Sequence, residues 1–346
     1  MAHDDRPSPD AHGDREHIPD TTESSDGTTG TGDSSIGRRV FLGLLGAGAA
    51  AALIGAGDTL RSTRAQPRPR GSASPGLAVQ VPSETAPPPR RSSRAGTVAG
   101  LLATPHFSVA HRGCDRSWPE MSFYAYQRSV EAGFDALELS LARTVDGVWF
   151  GLHDDALDRT SHTVRKIASG MTWAQVQGYR ILGSSAVDDP TQPDRPYMRW
   201  EELVDRYYGS HVIFVDPKSG LTHARELLTK MTSLSGTPQD HFVCKGYGIS
   251  GNAEGSTGWA KLAKDNGFAR WGYFYESDVP RLEAYQGRWD ILGMSCSAPD
   301  SAWSTVLSFG KPVIGHVAPS VAAAEAALGK GAVGVVASDA SVHTGR

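Results

Sequence analysis

Chemically reactive side chains follow four short hydrophobic segments of this 346-residue sequence. They are His111-Arg112-Gly113, Glu138 with Ser140, His153-Asp154 and Asp216-Pro217-Lys218. Imidazole exchanges protons near neutral pH, and guanidinium and ammonium groups bind oxyanions. If the fold brings these groups together, they can perform acid–base chemistry on an anionic substrate. One histidine at a strand end predicts little, whereas such groups at four successive strand ends indicate a site.

The segments that precede these residues belong to a regular alternation of two patterns. Short runs rich in Val, Ile and Phe predict strands at 107–110, 136–141, 148–152, 212–215, 241–244, 271–275, 291–294, 312–317 and 332–337. Stretches with helical periodicity lie between them, at 123–132, 199–208, 223–234, 257–266, 279–286 and 321–328. Alternation at this spacing predicts parallel strands connected by right-handed helical crossovers.

This alternation predicts an α/β fold, a (β/α)8 TIM barrel over residues 105–346. A closed barrel needs eight strands in about 250 residues, so one of the strand candidates must lie outside it, and the pattern does not show which. An open doubly wound sheet is the alternative, although no Gly-X-Gly-X-X-Gly turn follows the first strand. In a barrel the carboxyl ends of all strands lie on one rim, so we expect the reactive side chains to meet at one mouth.

The N-terminal part of the chain has a different composition. Residues 1–36 are acidic and almost free of aliphatic side chains, which predicts a disordered region. Residues 58–104 are rich in proline and arginine and are predicted to form an extended linker. Between them, Arg38-Arg39 precede an uncharged run rich in Gly, Ala and Leu at 40–57.

The paired arginines and the apolar run at 37–57 resemble a twin-arginine export signal. The sequence therefore predicts a protein that is exported to the extracellular space or the cell envelope. The run is short for a membrane span and contains five glycines. No clean cleavage site follows it, so an uncleaved anchor that associates with the membrane through residues 40–57 is the alternative.

Charge and cysteine content exclude two further classes of protein. The net charge is −4 and the isoelectric point is near 6.3, which leaves no general basic surface for nucleic acid. Three cysteines (Cys114, Cys244 and Cys296) are too few for a disulfide-dense scaffold, and no two of them have the spacing of a zinc finger.

Six short motifs follow one another in the first part of the predicted barrel. They are Val-Ala-His-Arg-Gly at 109–113, Trp-Pro-Glu-Met-Ser at 118–122, Gly-Phe-Asp-Ala-Leu-Glu at 133–138, Thr-Val-Asp-Gly-Val at 144–148, His-Asp at 153–154 and Leu-Asp-Arg-Thr-Ser at 157–161. In this order they resemble the glycerophosphodiester phosphodiesterase family, whose TIM barrel belongs with the phospholipase-C-like phosphodiesterases. The clear match covers residues 107–161, and a looser one continues through Asp216-Pro217-Lys218 to Ser338-Asp339.

The resemblance implies catalytic roles for four residues. His111 and His153 resemble the pair that act as general base and general acid on the phosphodiester, a role that suits the near-neutral pKa of imidazole. Arg112 would hold the non-bridging phosphate oxygens through its planar guanidinium. Lys218 resembles a lysine that adds positive charge beside the phosphate.

The resemblance also implies a divalent cation, Ca²⁺ or Mg²⁺, with Glu138 and Asp216 as ligands. The family usually has Glu-X-Asp where this sequence has Glu138-Leu139-Ser140, so a neutral hydroxyl replaces one anionic ligand. Fewer charged ligands predict weaker metal binding. Residues two apart on a strand share a face, so 138 and 140 are expected to point the same way.

Two more side chains are candidate substrate contacts. Lys245, in Lys-Gly-Tyr-Gly at 245–248, could bind a phosphate, although the glycines equally suit a simple turn. His316 lies in Gly-His-Val-Ala at 315–318, where the family commonly has Trp-Thr-Val-Asn.

These expectations combine into one function and one alternative. The sequence predicts an exported, metal-dependent phosphodiester hydrolase that acts on glycerophosphodiesters or related lipid-derived phosphodiesters. The alternative is a catalytically weakened barrel that binds phosphate or a lipid headgroup. Ser140 favours the alternative, whereas the retained His111 and His153 favour the enzyme.

Overall fold

The structure, a computed structural model of the chain, describes residues 96–249 and 258–344. The predicted disordered region 1–36 and export signal 37–57 lie outside these ranges, as does most of the predicted linker 58–104. None of the helices within the described ranges is long and apolar enough to cross a membrane.

Eight of the strands in the described residues are parallel and close into a barrel, which confirms the predicted fold. The strands are β1 (Phe107–Ala110), β2 (Ala136–Arg143), β3 (Trp149–Gly151), β4 (Arg180–Ile181), β5 (Arg195–Pro196), β6 (Val212–Asp216), β7 (Phe242–Tyr247), β8 (Ala269–Phe274), β9 (Ile291–Ser295), β10 (Val313–Ala318) and β11 (Gly334–Ala337). The barrel order is β1-β11-β10-β9-β8-β7-β6-β2, and a β1–β2 pairing closes it. The alternative of an open sheet is therefore wrong.

The strand candidate that lies outside the barrel is the one at 148–152. Strand β3 pairs antiparallel with the end of β2, with Leu141 opposite Gly151. The expectation that His153 ends a third barrel strand is thus wrong, because β3 runs in the opposite direction. The backbone N–H of Leu152 donates to the carbonyl of Ser140 at 3.1 Å. The hairpin therefore returns the chain to the barrel rim and places His153 there by a different route.

The described residues contain eleven α-helices, most of which connect barrel strands. They are α1 (Val98–Leu102), α2 (Phe123–Ala132), α3 (Asp158–Ser161), α4 (Trp173–Val176), α5 (Trp200–Tyr207), α6 (Ala224–Thr232), α7 (Trp259–Asp265), α8 (Leu282–Tyr285), α9 (Asp300–Leu307), α10 (Val321–Gly329) and α11 (Ser341–Thr344). Helix α2 has the predicted bounds, since the Ser122 side chain caps its first turn. Helix α8 is shorter than the predicted 279–286, because Pro280 cannot donate a backbone hydrogen bond and lies in a preceding 3₁₀ turn. The periodicity did not predict α9.

The barrel domain begins earlier than the predicted boundary at 105. Residues 98–102, which were predicted as linker, form α1, and the Thr97 side chain caps its N-terminus. Val98 and Leu101 pack in the same buried cluster as the apolar interior of the barrel. This segment therefore belongs to the fold and covers the end of the interior that lies away from the carboxyl ends of the strands.

The long segment between His153 and α5 forms a small unit with its own core. It contains α3, α4 and the antiparallel pair β4–β5. Its apolar side chains pack with the outer face of the β2–β3 hairpin, in a cluster that includes Phe150, Leu157 and Val176. This unit holds the chain just after His153 against the barrel rim.

The barrel interior is apolar in its lower layer and polar in its upper layer. Side chains two apart on a strand share a face. Ala136, Phe214, Val243 and Ile314 belong to the apolar lower layer. The residues two positions further along the same strands therefore point into the upper layer. That layer consists of Glu138 and Ser140 on β2, Asp216 on β6, Lys245 on β7 and His316 on β10, all buried. Residues 138 and 140 thus share the inner face of the barrel.

Candidate active site at the barrel mouth

His111 begins a tight turn at the carboxyl end of β1. Arg112, Gly113 and Cys114 all have positive φ angles, of 48°, 77° and 63°. A Cβ at Gly113 would lie 2.9 Å from the Cβ of Ala125 on α2, so only glycine allows this close approach. The turn directs the backbone N–H of Arg112 to Oε2 of Glu138, at 2.8 Å. The His-Arg pair is therefore attached to the upper layer of the barrel.

A carboxylate holds the His111 ring in place. The imidazole is nearly fully buried, and its Nδ1–H donates to Oδ1 of Asp115 at 2.9 Å. Burial opposes ionisation of Asp115, yet His111 and Arg112 hold the pKa of this carboxyl below its usual range. The ionised carboxylate favours the tautomer whose Nε2 accepts a proton.

A second carboxylate holds the His153 ring in the same manner. Nδ1–H of His153 donates to Oδ1 of Asp154 at 2.8 Å, and Oδ2 of Asp154 accepts from Nε of Arg159 at 2.7 Å. Burial opposes ionisation of Asp154, but hydrogen bonds from His153 and Arg159 hold its pKa well below the usual range. Each imidazole is thus paired with an ionised carboxylate, which orients a ring for proton transfer.

A chain of charged contacts connects the two histidines. Arg159 binds Glu120 through two hydrogen bonds of 2.7 and 2.8 Å. Nη1 of Arg112 lies 3.7 Å from Oε2 of Glu120 and 4.0 Å from Oδ2 of Asp115. The order of contacts is His111, Asp115, Arg112, Glu120, Arg159, Asp154, His153.

The sequence did not assign Asp115 and Arg159 to the site. Each nevertheless had a signal: Asp115 follows His111 by four residues, and Arg159 lies in the Leu-Asp-Arg-Thr-Ser motif. Glu120 and Asp154 are bound by Arg159 and therefore do not replace the carboxylate that is missing at Ser140.

We expect Arg159→Met to lower kcat about tenfold and to leave KM nearly unchanged, because Arg159 positions Asp154, the carboxylate that orients the His153 ring. The loss is a fraction of the 10²–10⁴ that acid–base catalysis contributes. Steady-state kinetics measures it, and thermal unfolding reports folding. Arg165→Met removes an exposed arginine of the same segment and is the control. Equal losses in the two variants would contradict a positioning role.

Glu138 lies at the centre of the upper layer, and both of its oxygens accept hydrogen bonds. Oε2 accepts from the backbone of Arg112, whereas Oε1 accepts from Nζ of Lys245 at 2.8 Å and from Oγ of Ser140 at 3.1 Å. Burial would raise the pKa of Glu138, but Lys245 and His111 hold it well below its usual range. The result is a buried, ionised Glu138–Lys245 pair.

Asp216 lies beside this pair and contacts two lysines. Its Oδ2 is 3.3 Å from Nζ of Lys218 and 3.8 Å from Nζ of Lys245. Nζ of Lys218 also donates to the hydroxyl of Tyr273 at 3.1 Å. The structure therefore brings Asp216 and Lys218 together with Glu138, as the barrel prediction requires.

A resident divalent ion does not fit this donor set. Hard cations bind oxygen ligands that carry excess negative charge. Both oxygens of Glu138 are occupied, and two ammonium groups flank the one oxygen of Asp216 that accepts no hydrogen bond in the described part of the chain. Across 96–249 and 258–344, no group of three His, Cys, Asp or Glu side chains is arranged to hold a metal ion. The residues at Glu138, Ser140 and Asp216 therefore do not support the predicted Ca²⁺ or Mg²⁺ site.

The other candidate residues have defined places. His316 points into the barrel, where its Nε2–H donates to the carbonyl of Phe274 at 3.2 Å and its ring packs against Tyr273 and Tyr275. Lys245 lies inside β7 and not in the turn predicted after residue 244. Cys114, in the turn after His111, is buried, and burial raises the pKa of its thiol well above the usual value.

Comparison with known proteins gives a family match for the region that carries these motifs. Residues 111–213 match the glycerophosphoryl diester phosphodiesterase family. The chain is 39% identical over 139 residues to the probable glycerophosphodiester phosphodiesterase 1 of Mycobacterium tuberculosis, which covers 39% of this chain and 50% of the relative. It is 28% identical over 138 residues to a glycerophosphodiester phosphodiesterase of Bacillus subtilis, covering 36% and 44% of the two chains. The chain thus spans about half the length of these relatives or less.

Solved structures show the same fold at low sequence identity. A putative glycerophosphoryl diester phosphodiesterase from Silicibacter pomeroyi superposes with a TM-score of 0.57 at 13% identity, over 69% of this chain and 92% of that one. A phosphodiesterase from Oleispira antarctica, solved in complex with the product sn-glycerol-3-phosphate, superposes with a TM-score of 0.54 at 17% identity, over 69% and 96%. These similarities show the shared barrel.

Proposed function

We propose that this chain is a phosphoric diester hydrolase acting on glycerophosphodiesters or related lipid-derived phosphodiesters. The match of residues 111–213 to the glycerophosphoryl diester phosphodiesterase family supports this proposal. The observation that carries the proposal is the pair of imidazoles, each bound to an ionised carboxylate and connected through Arg112. The Oleispira antarctica phosphodiesterase of the same fold holds sn-glycerol-3-phosphate as its product, which is the product class expected here.

His111 and His153 divide the two proton transfers of the reaction. Hydrolysis needs one group to take a proton from the attacking oxygen and another to give a proton to the leaving oxygen. Asp115 and Asp154 orient both rings through hydrogen bonds at Nδ1. With this division of roles, no other side chain has to gain or lose a proton.

Arg112 and Lys218 supply positive charge for the phosphate. The Arg112 guanidinium is fixed between Glu120 and Asp115, and the Lys218 ammonium lies between Asp216 and Tyr273. Groups that are held before substrate binds stabilise the developing charge of the transition state without a reorganisation cost.

The direct test is a hydrolysis assay on glycerophosphodiesters with different alcohols, a lysophospholipid and a glycerol phosphate polymer. We expect release of glycerol phosphate and the free alcohol from at least one of them. The neutral Ser140 favours the second function, a barrel that binds phosphate or a lipid headgroup without turnover. Calorimetric binding of glycerol phosphate with no hydrolysis of any substrate would favour that second function and contradict the hydrolase.

We also propose that the chain is exported through a twin-arginine signal at Arg38-Arg39 and the apolar run 40–57. Phosphodiesters derived from lipids are available at the cell envelope, which is consistent with this location. Replacing Arg38 and Arg39 by lysine should keep the protein in the cytoplasm, because export receptors read the paired guanidinium groups and not bulk charge. Cell fractionation measures the distribution. Arg90→Lys with Arg91→Lys, in the following basic segment, is the matched control, and unchanged export of the first variant would exclude the twin-arginine route.

A further inference from the structure

Lys245 takes the place between two carboxylates that the resemblance assigns to a metal. Its ammonium lies 2.8 Å from Oε1 of Glu138 and 3.8 Å from Oδ2 of Asp216. We infer that Lys245 is the resident cation of this site in place of a divalent ion, and that hydrolysis proceeds without a metal. The inference rests on the proposed function, because it assigns to Lys245 the positive charge that a metal ion would otherwise supply to the active site.

The charges of the site support this substitution. In the pattern that the family usually has, three carboxylates and a divalent ion carry a net charge of minus one. Glu138, Asp216, the neutral Ser140 and the Lys245 ammonium also carry minus one. The loss of an aspartate at 140 and the presence of a lysine at 245 therefore compensate each other. Ser140 in addition donates a hydrogen bond to Glu138, where an aspartate would repel it.

The surroundings of Lys245 keep its ammonium in this position. The side chain is 7% exposed, and the rings of Tyr273 and Trp271 lie 5.1 and 5.9 Å from Nζ. The backbone carbonyl of Lys245 accepts a hydrogen bond from the indole of Trp259 at 2.8 Å. A buried cation beside aromatic faces and a carboxylate is held by both. A divalent ion would have to displace it against the charge of Lys218 nearby.

The inference predicts how the wild-type protein responds to metals. Turnover of the best phosphodiester substrate should be the same in excess EDTA as in excess calcium or magnesium. Titration calorimetry with CaCl₂ and MgCl₂ should show no stoichiometric binding. Activity that EDTA abolishes and calcium restores would overturn the inference, as would stoichiometric calcium binding that Glu138→Gln removes. These measurements need no variant of Lys245 that has to fold.

A double variant tests the exchange of lysine for metal. Lys245→Met should lower kcat about a hundredfold, the scale for loss of a fixed charge at the reacting centre. Lys245→Met combined with Ser140→Asp recreates three carboxylates without the Lys245 ammonium between them, so we expect it to bind calcium, to unfold at a higher temperature when calcium is present and to regain activity about tenfold or more with calcium. A purely structural role of Lys245 would not create calcium binding.

The control is Lys261→Met, which removes an exposed lysine paired with Asp265 on α7. Its turnover should equal that of the wild type, and calcium should not change it. A double variant that folds but neither binds calcium nor is stabilised by it would contradict the exchange. If the wild type hydrolyses no diester under any metal condition, the proposed function fails, and the calorimetry alone then decides whether the site excludes a divalent ion.

Discussion

His111→Ala and His153→Ala should each lower kcat by about a hundredfold or more, the scale that general acid–base catalysis contributes. Each substitution removes an imidazole whose Nδ1 is fixed by a carboxylate. Because the two rings act in the same reaction, we expect the double variant to lose little more than the worse single variant. Turnover on the best substrate of the panel measures these losses.

The two variants should differ in stability. Both histidines lie at the barrel mouth, but His111 is only 4% exposed. His111→Ala removes the imidazole donor from Asp115, whose side chain is 18% exposed, and the loss of this hydrogen bond to a charged group costs about 1–3 kcal/mol of unfolding free energy. His106→Ala, at the opposite end of β1, is the control for removal of a histidine. Wild-type turnover in both site variants would show that the assigned acid–base pair is wrong.

The sequence was sufficient to predict the barrel because the patterns that indicate strands and helices are local. A strand buried on both faces appears as a short apolar run, and an amphipathic helix appears as a periodic pattern, wherever the rest of the chain lies. The direction in which a strand pairs depends in addition on the length of the connection that precedes it. The run at 148–152 looks like any other barrel strand, yet only residues 142–147 separate it from the preceding strand candidate at 136–141. That connection is too short for a helical crossover and requires an antiparallel hairpin.

The pairing of Glu138 with Lys245 could not be derived from the sequence, since it depends on the register of three strands. In the strand register, Glu138 pairs with Phe214 on β6, and Phe214 pairs with Val243 on β7. Lys245 is therefore the next inward residue of β7 after the one in register with Glu138, and its long side chain reaches back to the Glu138 carboxylate. The sequence showed the unusual Ser140 and the lysine separately. Only the register shows that they belong to one site.

Arg112→Lys should lower kcat/KM by about a hundredfold although the charge is kept, the scale for loss of one preorganised donor at a developing charge. A lysine has no planar pair of donors for two phosphate oxygens, and its ammonium cannot contact Glu120 and Asp115 as the guanidinium does. Inhibition by glycerol phosphate should weaken in parallel. Kinetics with this product as inhibitor measures both effects.

The contacts of Arg112 make this variant a test of phosphate binding and not of folding. Glu120 keeps both hydrogen bonds from Arg159, and Asp115 keeps the one from His111. The backbone N–H that binds Glu138 is unchanged by a side-chain substitution. Arg128→Lys, on the exposed face of α2, is the matched control. Because every carboxylate near Arg112 retains a hydrogen-bond donor, an unchanged kcat/KM in a folded Arg112→Lys variant would mean that another group holds the phosphate, and Lys218 would be the next residue to replace.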